Sequence, residues 1–198
     1  MQEIAPGLWH WTRHHPRIGV EVSSYYLAPE RVLIDPLVPA EGMEWLQEQG
    51  PPEHILLSNR HHDRDSWLIS EAFGTTVHCV RNGIHELEGR GPVEPFDFGD
   101  VLPGQVTAYE IGAICPDETA LHIPSYRALA CADGVVHYGE ELGFVPEQYM
   151  DDPETTKARL RQAYGRVLHL DFEMLLPAHG TPLTGNAQEA LRRFAQAK

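Results

Sequence analysis

The sequence predicts an α/β fold, and three features carry that expectation: short runs rich in β-branched and aromatic residues, stretches with apolar side chains at helical spacing between them, and glycine or proline at the joins. Leu8 to Trp11, Ser24 to Leu27 and Val32 to Ile34 read as an opening run of strands. Ala40 to Gln49 reads as a helix with Met43, Trp45 and Leu46 inward, closed by Gly50. An apolar strand follows at His54 to Ser58, then a helix at Ser66 to Phe73 stopped by Gly74, then a strand at Thr75 to Val80. Strands are expected at Val106 to Ile111, Thr119 to Ile123, Ala128 to Cys131 and Val135 to Tyr138, with Asp133-Gly134 as a hairpin-like turn. Asp152 and Pro153 are a cap and a first-turn residue for a helix to about His169. A strand at Glu173 to Leu176 and an amphipathic docking helix at Ala187 to Ala197 complete the order.

With 198 residues, 42% of them hydrophobic, the chain can bury a substantial core, and residues 1–198 are expected to form one domain. No run of about 18 apolar residues occurs, so no membrane span is expected. The start, MQEIAPGLWHW, has neither a basic segment nor an apolar stretch of the secretory kind, and the expected location is cytoplasmic. Cys79, Cys115 and Cys131 are widely spaced and read as reduced, buried thiols. A net charge of −14 argues against a nucleic-acid partner, because that affinity comes largely from Lys and Arg displacing counterions. The remaining partner classes are a small molecule in a cleft and a second copy of the chain docked through an exposed edge.

Polar clusters fall at strand ends in four separate regions, where loops of an α/β fold converge while the sheets hold them rigid. They are SNRHHDR at Ser58 to Arg64, CPDETALH at Cys115 to His122, HYGE at His137 to Glu140, and LLPAHG at Leu175 to Gly180. Histidine and carboxylates gathered from distant segments are the donors that Zn, Fe or Mn accept. A metal-free salt-bridge network is the competing account for Asp63, Arg64, Glu118 and Glu140. His62, beside His61 on a segment expected to be extended, should face away from whatever His61 faces. The tryptophans Trp9, Trp11, Trp45 and Trp67 are expected to pack the layers.

The order and spacing of these clusters resemble the metallo-β-lactamase-fold superfamily of metallohydrolases, which includes glyoxalase II-like thioesterases and lactonases. Its first metal segment reads T-H-x-H-x-D-H, later ones G-H-T-x-G-H and t-G-D, and its last l-P-G-H-G; PGLW and YYLAPERVLIDP, closing on Asp35, are similar to its first strands. The resemblance covers nearly the whole chain and implies a four-layer αββα sandwich. On the first motif lie Ser58, Asn59, Arg60, His61, His62, Asp63 and Arg64, so that one His and the Asp match while Asn59 and Arg64 replace two ligands; a register shifted by one keeps only His62. Glu118 falls on a metal-binding His, His122 on a later His that is not a ligand, Glu140 on the bridging Asp, and His179 on the final His.

The resemblance therefore implies at most one divalent metal (Zn, Fe or Mn), held by His61, Glu118, Glu140 and His179, or none. In the intact family two metals about 3.5–4 Å apart activate water and polarise the scissile group. Arg64 cannot bind a metal and would supply a fixed guanidinium instead. Asp63, Arg64 and His179 are the expected catalytic groups, and Asn59, Arg64 and His122 the expected substrate contacts. Two functions stay open: a mononuclear hydrolase of a small ester, thioester, lactone or similar compound, and a metal-free, catalytically silent cleft that binds a small molecule or a partner protein. Redox chemistry at iron is a third.

Overall fold

The computed structural model describes residues 1–197. Strands β1 (Gln2–Ala5), β2 (Leu8–His14), β3 (Glu21–Leu27) and β4 (Val32–Ile34) pair antiparallel in sequence order. After helix α1 (Met43–Glu48) the sheet continues with β5 (His54–Leu56), helix α2 (Ser66–Phe73), β6 (Thr76–Val80) and β7 (Val93–Phe96), and β4 to β7 pair parallel. The second sheet holds β8 (Val101–Leu102), β9 (Val106–Glu110), β10 (Thr119–Ile123), β11 (Ala128–Cys131) and β12 (Met174–Pro177), ordered β12-β11-β10-β9-β8. Only β11 and β12 pair parallel there, because helix α3 (Pro153–Val167) lies between them in sequence. Helix α4 (Ala187–Gln196) follows β12.

Three apolar clusters define four layers. Leu27, Ile34, Leu56, Leu121, Ala130 and Leu176 fill the space between the two sheets. On the outer face of the first sheet, Tyr26, Leu33, Ile55 and Val77 meet Leu46 of α1 and Ile69 of α2. On the outer face of the second, Leu129, Cys131 and Leu175 meet Leu160 and Tyr164 of α3 and Leu191 and Phe194 of α4. The order is the expected αββα sandwich. Period-two alternation explains it: in β5, Leu56 faces the other sheet while Ile55 faces the helices. Leu160, Ala163, Tyr164 and Val167 repeat at helical spacing and dock α3.

The terminators act as the sequence implied. Gly74 ends α2 in the left-handed region, its N–H bonded to the Ser70 carbonyl at 2.8 Å. Asp152 caps α3 by accepting from the Thr155 N–H at 3.2 Å, with Pro153 in the first turn. Trp9, Trp11 and Tyr26 pack edge-on around Trp45 under the first sheet. The three cysteines are free and buried.

Two expectations fail. Val135 to Tyr138 is not a strand; Val136 and His137 make only single bridges, to Gly143 and Gly180. Asp133-Gly134 is therefore no hairpin turn. Gly134 is there because a Cβ would stand 2.4 Å from Glu118 Oε1 and 2.5 Å from Leu160 Cδ2. Strands β1, β7 and β8 are additional; they are short edge pieces without a strong apolar alternation.

Candidate metal centre

The site lies where β4, β5, β11 and β12 end. Beyond β5 the chain makes a single 3-10 turn, Arg60–His62, capped by Asn59, whose Oδ1 accepts from the His61 N–H at 2.8 Å. With about three residues per turn, neighbouring side chains diverge rather than alternate. His61 is consequently exposed, and His62 is buried and turned inward, the reverse of the expectation from an extended segment. Asp133 and His179 follow β11 and β12, which are paired in register at Cys131 and Pro177. Each stands two residues past that pair, so the parallel pairing brings them side by side.

Three donor atoms converge. His62 Nε2 lies 3.1 Å and His179 Nε2 3.0 Å from Asp133 Oδ1, and among the described residues His62, Asp133 and His179 are the group of three whose ligand atoms all fall within 4.8 Å of one another. Hydrogen bonds from behind hold His62 and Asp133 in place, whereas His179 Nδ1 is buried with no partner among the described residues. His62 Nδ1 donates to Asp35 Oδ2 at 2.9 Å, and Asn59 Nδ2 donates to Asp133 Oδ2 at 3.1 Å. Asp35 in turn accepts from the Ser58 N–H at 2.8 Å and from the Ser58 hydroxyl. A carboxylate on the far nitrogen of a ligating imidazole fixes its tautomer and aims the other nitrogen at the metal. Two imidazoles, one of them so oriented, and one carboxylate make a cluster capable of coordinating a single divalent ion.

Charge is concentrated at this point. Burial opposes a charge on His62, but the Asp133 and Asp35 carboxylates outweigh it and raise its pKa to about 9. Burial likewise opposes charge on Asp35 and Asp133; the His62 imidazolium prevails in both and holds their carboxyls below the usual range. Asp35 and Arg64 both adopt left-handed backbone conformations, φ 46° and 38°. That strain is held by contacts between them: the Arg64 guanidinium donates to the carbonyls of Asp35 and Ser23. Arg64 Nη2 is buried and has no hydrogen-bond partner among the described residues.

The other expected site residues lie elsewhere. Glu118 is fully buried beneath the site, its Oε2 accepting from the Ile114 and Ala113 N–H groups at 3.0 and 3.2 Å, outside the cluster of donors. Glu140 is exposed and lines a separate small cavity with Phe144 and Phe194. His122 points away, donating from Nε2 to the Asp171 carbonyl at 3.0 Å. Asp63 is buried, but its oxygens are engaged by Arg17, Arg90 and, at 3.2 Å, Trp67 Nε1. Asn59 touches the cluster through Asp133, and Arg64 lines its wall. Of the four expected ligands, His179 alone stands in the cluster, while Asp133 and His62 complete it. A signal for Asp133 was present: Ala132-Asp133-Gly134 after one strand and Ala178-His179-Gly180 after another share one pattern.

Two consequences are measurable. Gly180 has φ +98°, and a Cβ there would stand 2.0 Å from the His137 carbonyl oxygen. Gly180→Ala combines backbone strain with overpacking and lowers stability by about 2–4 kcal/mol in urea unfolding. Burial also pushes the Glu118 carboxyl up to about 7, against the help of the Ile114 amide. Its folded-state pKa exceeds the unfolded value, so the folded chain binds more protons between pH 4.5 and 7, and stability falls as pH rises through that window. The loss by pH 8 is on the order of 3 kcal/mol. Glu118→Gln flattens this part of the stability-versus-pH curve.

The cluster sits at the wall of a cavity of about 700 Å³, which Tyr138, Val145 and Tyr149 also line. Solved structures share this fold. A metallo-β-lactamase from Pontibacter korlensis matches with a TM-score of 0.72 at 17% identity, over 100% of this chain and 98% of its own. A metallo-β-lactamase family protein from Thermus thermophilus, TTHA1429, matches with a TM-score of 0.67 at 14% identity, over 98% of this chain and 78% of its own. TTHA1623, solved in a di-iron-bound form, matches with a TM-score of 0.61 at 22% identity, over 91% of each chain. No protein-family model and no curated protein matches the sequence. The chain therefore has the metallo-β-lactamase fold, and at its site His62, Asp133 and His179 form a partial triad that could hold one metal ion.

Proposed function

We propose that the protein is a mononuclear metal-dependent hydrolase acting on a small ester, thioester, lactone or similar activated carbonyl compound. The observation that carries this reading is the hydrogen bond behind His62: Asp35 leaves His62 Nε2 aimed at Asp133 Oδ1, the atom that His179 Nε2 also faces. A divalent cation there would supply Lewis-acid polarisation of the substrate carbonyl. His62 and His179 are held as donors by the ends of β5 and β12. Asp133 Oδ2, kept in place by Asn59 Nδ2, is the carboxylate oxygen that accepts the proton of the attacking water. Arg64, in the wall of the cavity, places a fixed positive charge beside the site, which favours negative charge developing on the substrate oxygen. The one cluster of metal donors found among the described residues supports one ion per chain.

A specific observation favours a second reading, a metal-free binding cleft. The His62 imidazolium between Asp35 and Asp133 is already a compensated network that needs no cation. Plasma mass spectrometry on the full chain, incubated in turn with Zn, Fe(II) and Mn(II) and then desalted, separates the two. The hydrolase reading expects about one equivalent of one metal, lost in His62→Ala and in His179→Ala. It also expects turnover of 4-nitrophenyl butyrate, a thioester or a lactone by the loaded chain. No retained metal with any ion leaves the binding cleft.

A further inference from the structure

Asp63 is the centre of a second charged group in the same cavity. Arg17, from the loop between β2 and β3, and Arg90, from the turn before β7, both form ion pairs with its carboxylate. The Asp63 side chain is only 3% exposed, whereas those of Arg17 and Arg90 keep 56% and 42%. One buried carboxylate thus faces two guanidiniums, and one positive charge is left over. Trp67 Nε1 also donates to Asp63 Oδ2, which helps fix the carboxylate in place. Each guanidinium has five N–H donors, most of them left over after the contact with Asp63.

The neighbouring charges do not cancel this excess. Arg60 is occupied by Asp117 and Glu86, and Asp133 by two imidazoles. Arg17, Asp63 and Arg90 all line the cavity, in a chain whose overall charge is −14. A local positive site in a cavity attracts an anion at close range, where the nearby guanidiniums outweigh the more distant, solvent-screened carboxylates of the surface. The same cavity has an apolar side formed by Ile18, Val20, Val145 and Tyr149. Ile18 and Tyr149 are 51% and 54% exposed, as walls waiting for an apolar ligand would be.

We propose that this cavity selects molecules with a carboxylate at one end of an apolar body, and that Arg17 and Arg90 are the residues that recognise the carboxylate. A planar guanidinium pair matches a planar carboxylate with parallel N–H contacts. The apolar body lies along Ile18 and Tyr149, in the cavity that His62, Asp133 and His179 also line. As a statement about substrate, the inference rests on the hydrolase reading; as a statement about binding, it does not.

The test uses the full chain stripped of metal and desalted, so that no metal holds the ligand. Binding of hexanoate and of hexanamide is compared by ligand-observed NMR. Hexanoate is expected to bind about tenfold more tightly than hexanamide, the ratio that one charge-assisted contact supplies. The preference should weaken with added NaCl, because the guanidiniums are partly exposed. Arg17→Gln leaves Asp63 paired with Arg90 and should abolish the preference; Arg90→Lys keeps the charge but not the fork and should reduce it. Arg81→Ala, on an exposed pair with Asp97, is the control and should match the wild type. Circular dichroism confirms that each variant is folded. Equal binding of the two ligands, no saturable hexanoate binding below about 10 mM, or an unchanged preference in folded Arg17→Gln overturns the proposal. Hydrolysis assays on the metal-loaded chain with 4-nitrophenyl butyrate and mono-4-nitrophenyl adipate then separate the two ideas. A chain that binds hexanoate yet cleaves neither ester keeps the carboxylate site and loses the hydrolase. One that cleaves both equally, with no preference for hexanoate, keeps the hydrolase and loses the carboxylate site.

Discussion

Asp35→Ala lowers the stability of the metal-free chain by about 3–5 kcal/mol, because it removes one partner from a buried charged network. The carboxylate is 3% exposed and accepts from the Ser58 N–H, the Ser58 hydroxyl and His62 Nδ1. Without it a buried N–H is orphaned, and the His62 imidazolium keeps only Asp133. Urea unfolding at pH 7 measures the effect, with an unchanged slope against denaturant showing that the difference is one of stability. Asp35→Asn, which keeps the shape and loses the charge, should fall between the two. In the metal-loaded chain the same change should weaken metal binding about 10- to 100-fold, since the carboxylate orients a ligand. A loss under about 1 kcal/mol would mean that His62 does not depend on Asp35 for its orientation or its charge.

Asp133→Ala is expected to abolish metal retention and to cut hydrolysis by the loaded chain at least about a thousandfold, the scale seen when one member of a cooperative catalytic group is removed. Asp133 Oδ1 is the atom that both imidazoles face, so its removal leaves two histidines with no anionic ligand between them. The cost in stability should be smaller than for Asp35, because the Asp133 side chain is 22% exposed and water can replace it. A second readout tests the electrostatics directly. Burial already disfavours the His62 imidazolium, and Asp133 is the largest influence opposing that, so the His62 pKa of about 9 must fall in the variant. NMR titration of the imidazole would show it. An unshifted His62 together with full metal content would remove Asp133 from the centre of the site.

The layers were legible in the sequence because each was written in a local pattern. Ile55 and Leu56 alternate, Leu160, Ala163, Tyr164 and Val167 recur at helical spacing, and Gly74 and Asp152 mark ends by backbone chemistry that needs no tertiary partner. Part of the site was legible for the same reason, since a strand running into Pro177, Ala178, His179 and Gly180 announces a polar residue at a strand end. What the sequence did not disclose depended on geometry between distant segments. The choice between His61 and His62 turns on whether three residues are extended or form a 3-10 turn, which Asn59 decides by capping them. Asp133 acquires its role only because β11 lies parallel to β12, 46 residues away from His179 in sequence. Glu140, in contrast, follows a segment whose expected strand contributes only single bridges, and so has no sheet to carry it toward the site.

Arg64 gives this arrangement a property that a bound ion would not have. Its buried guanidinium ties the ends of β3 and β4 together through the carbonyls of Ser23 and Asp35. That cation is covalently part of the chain, so it cannot be sequestered by a chelator, exchanged for a competing ion or oxidised. Whatever occupies the cluster of His62, Asp133 and His179, the two strand ends stay tied, and their order does not depend on the supply of any ion.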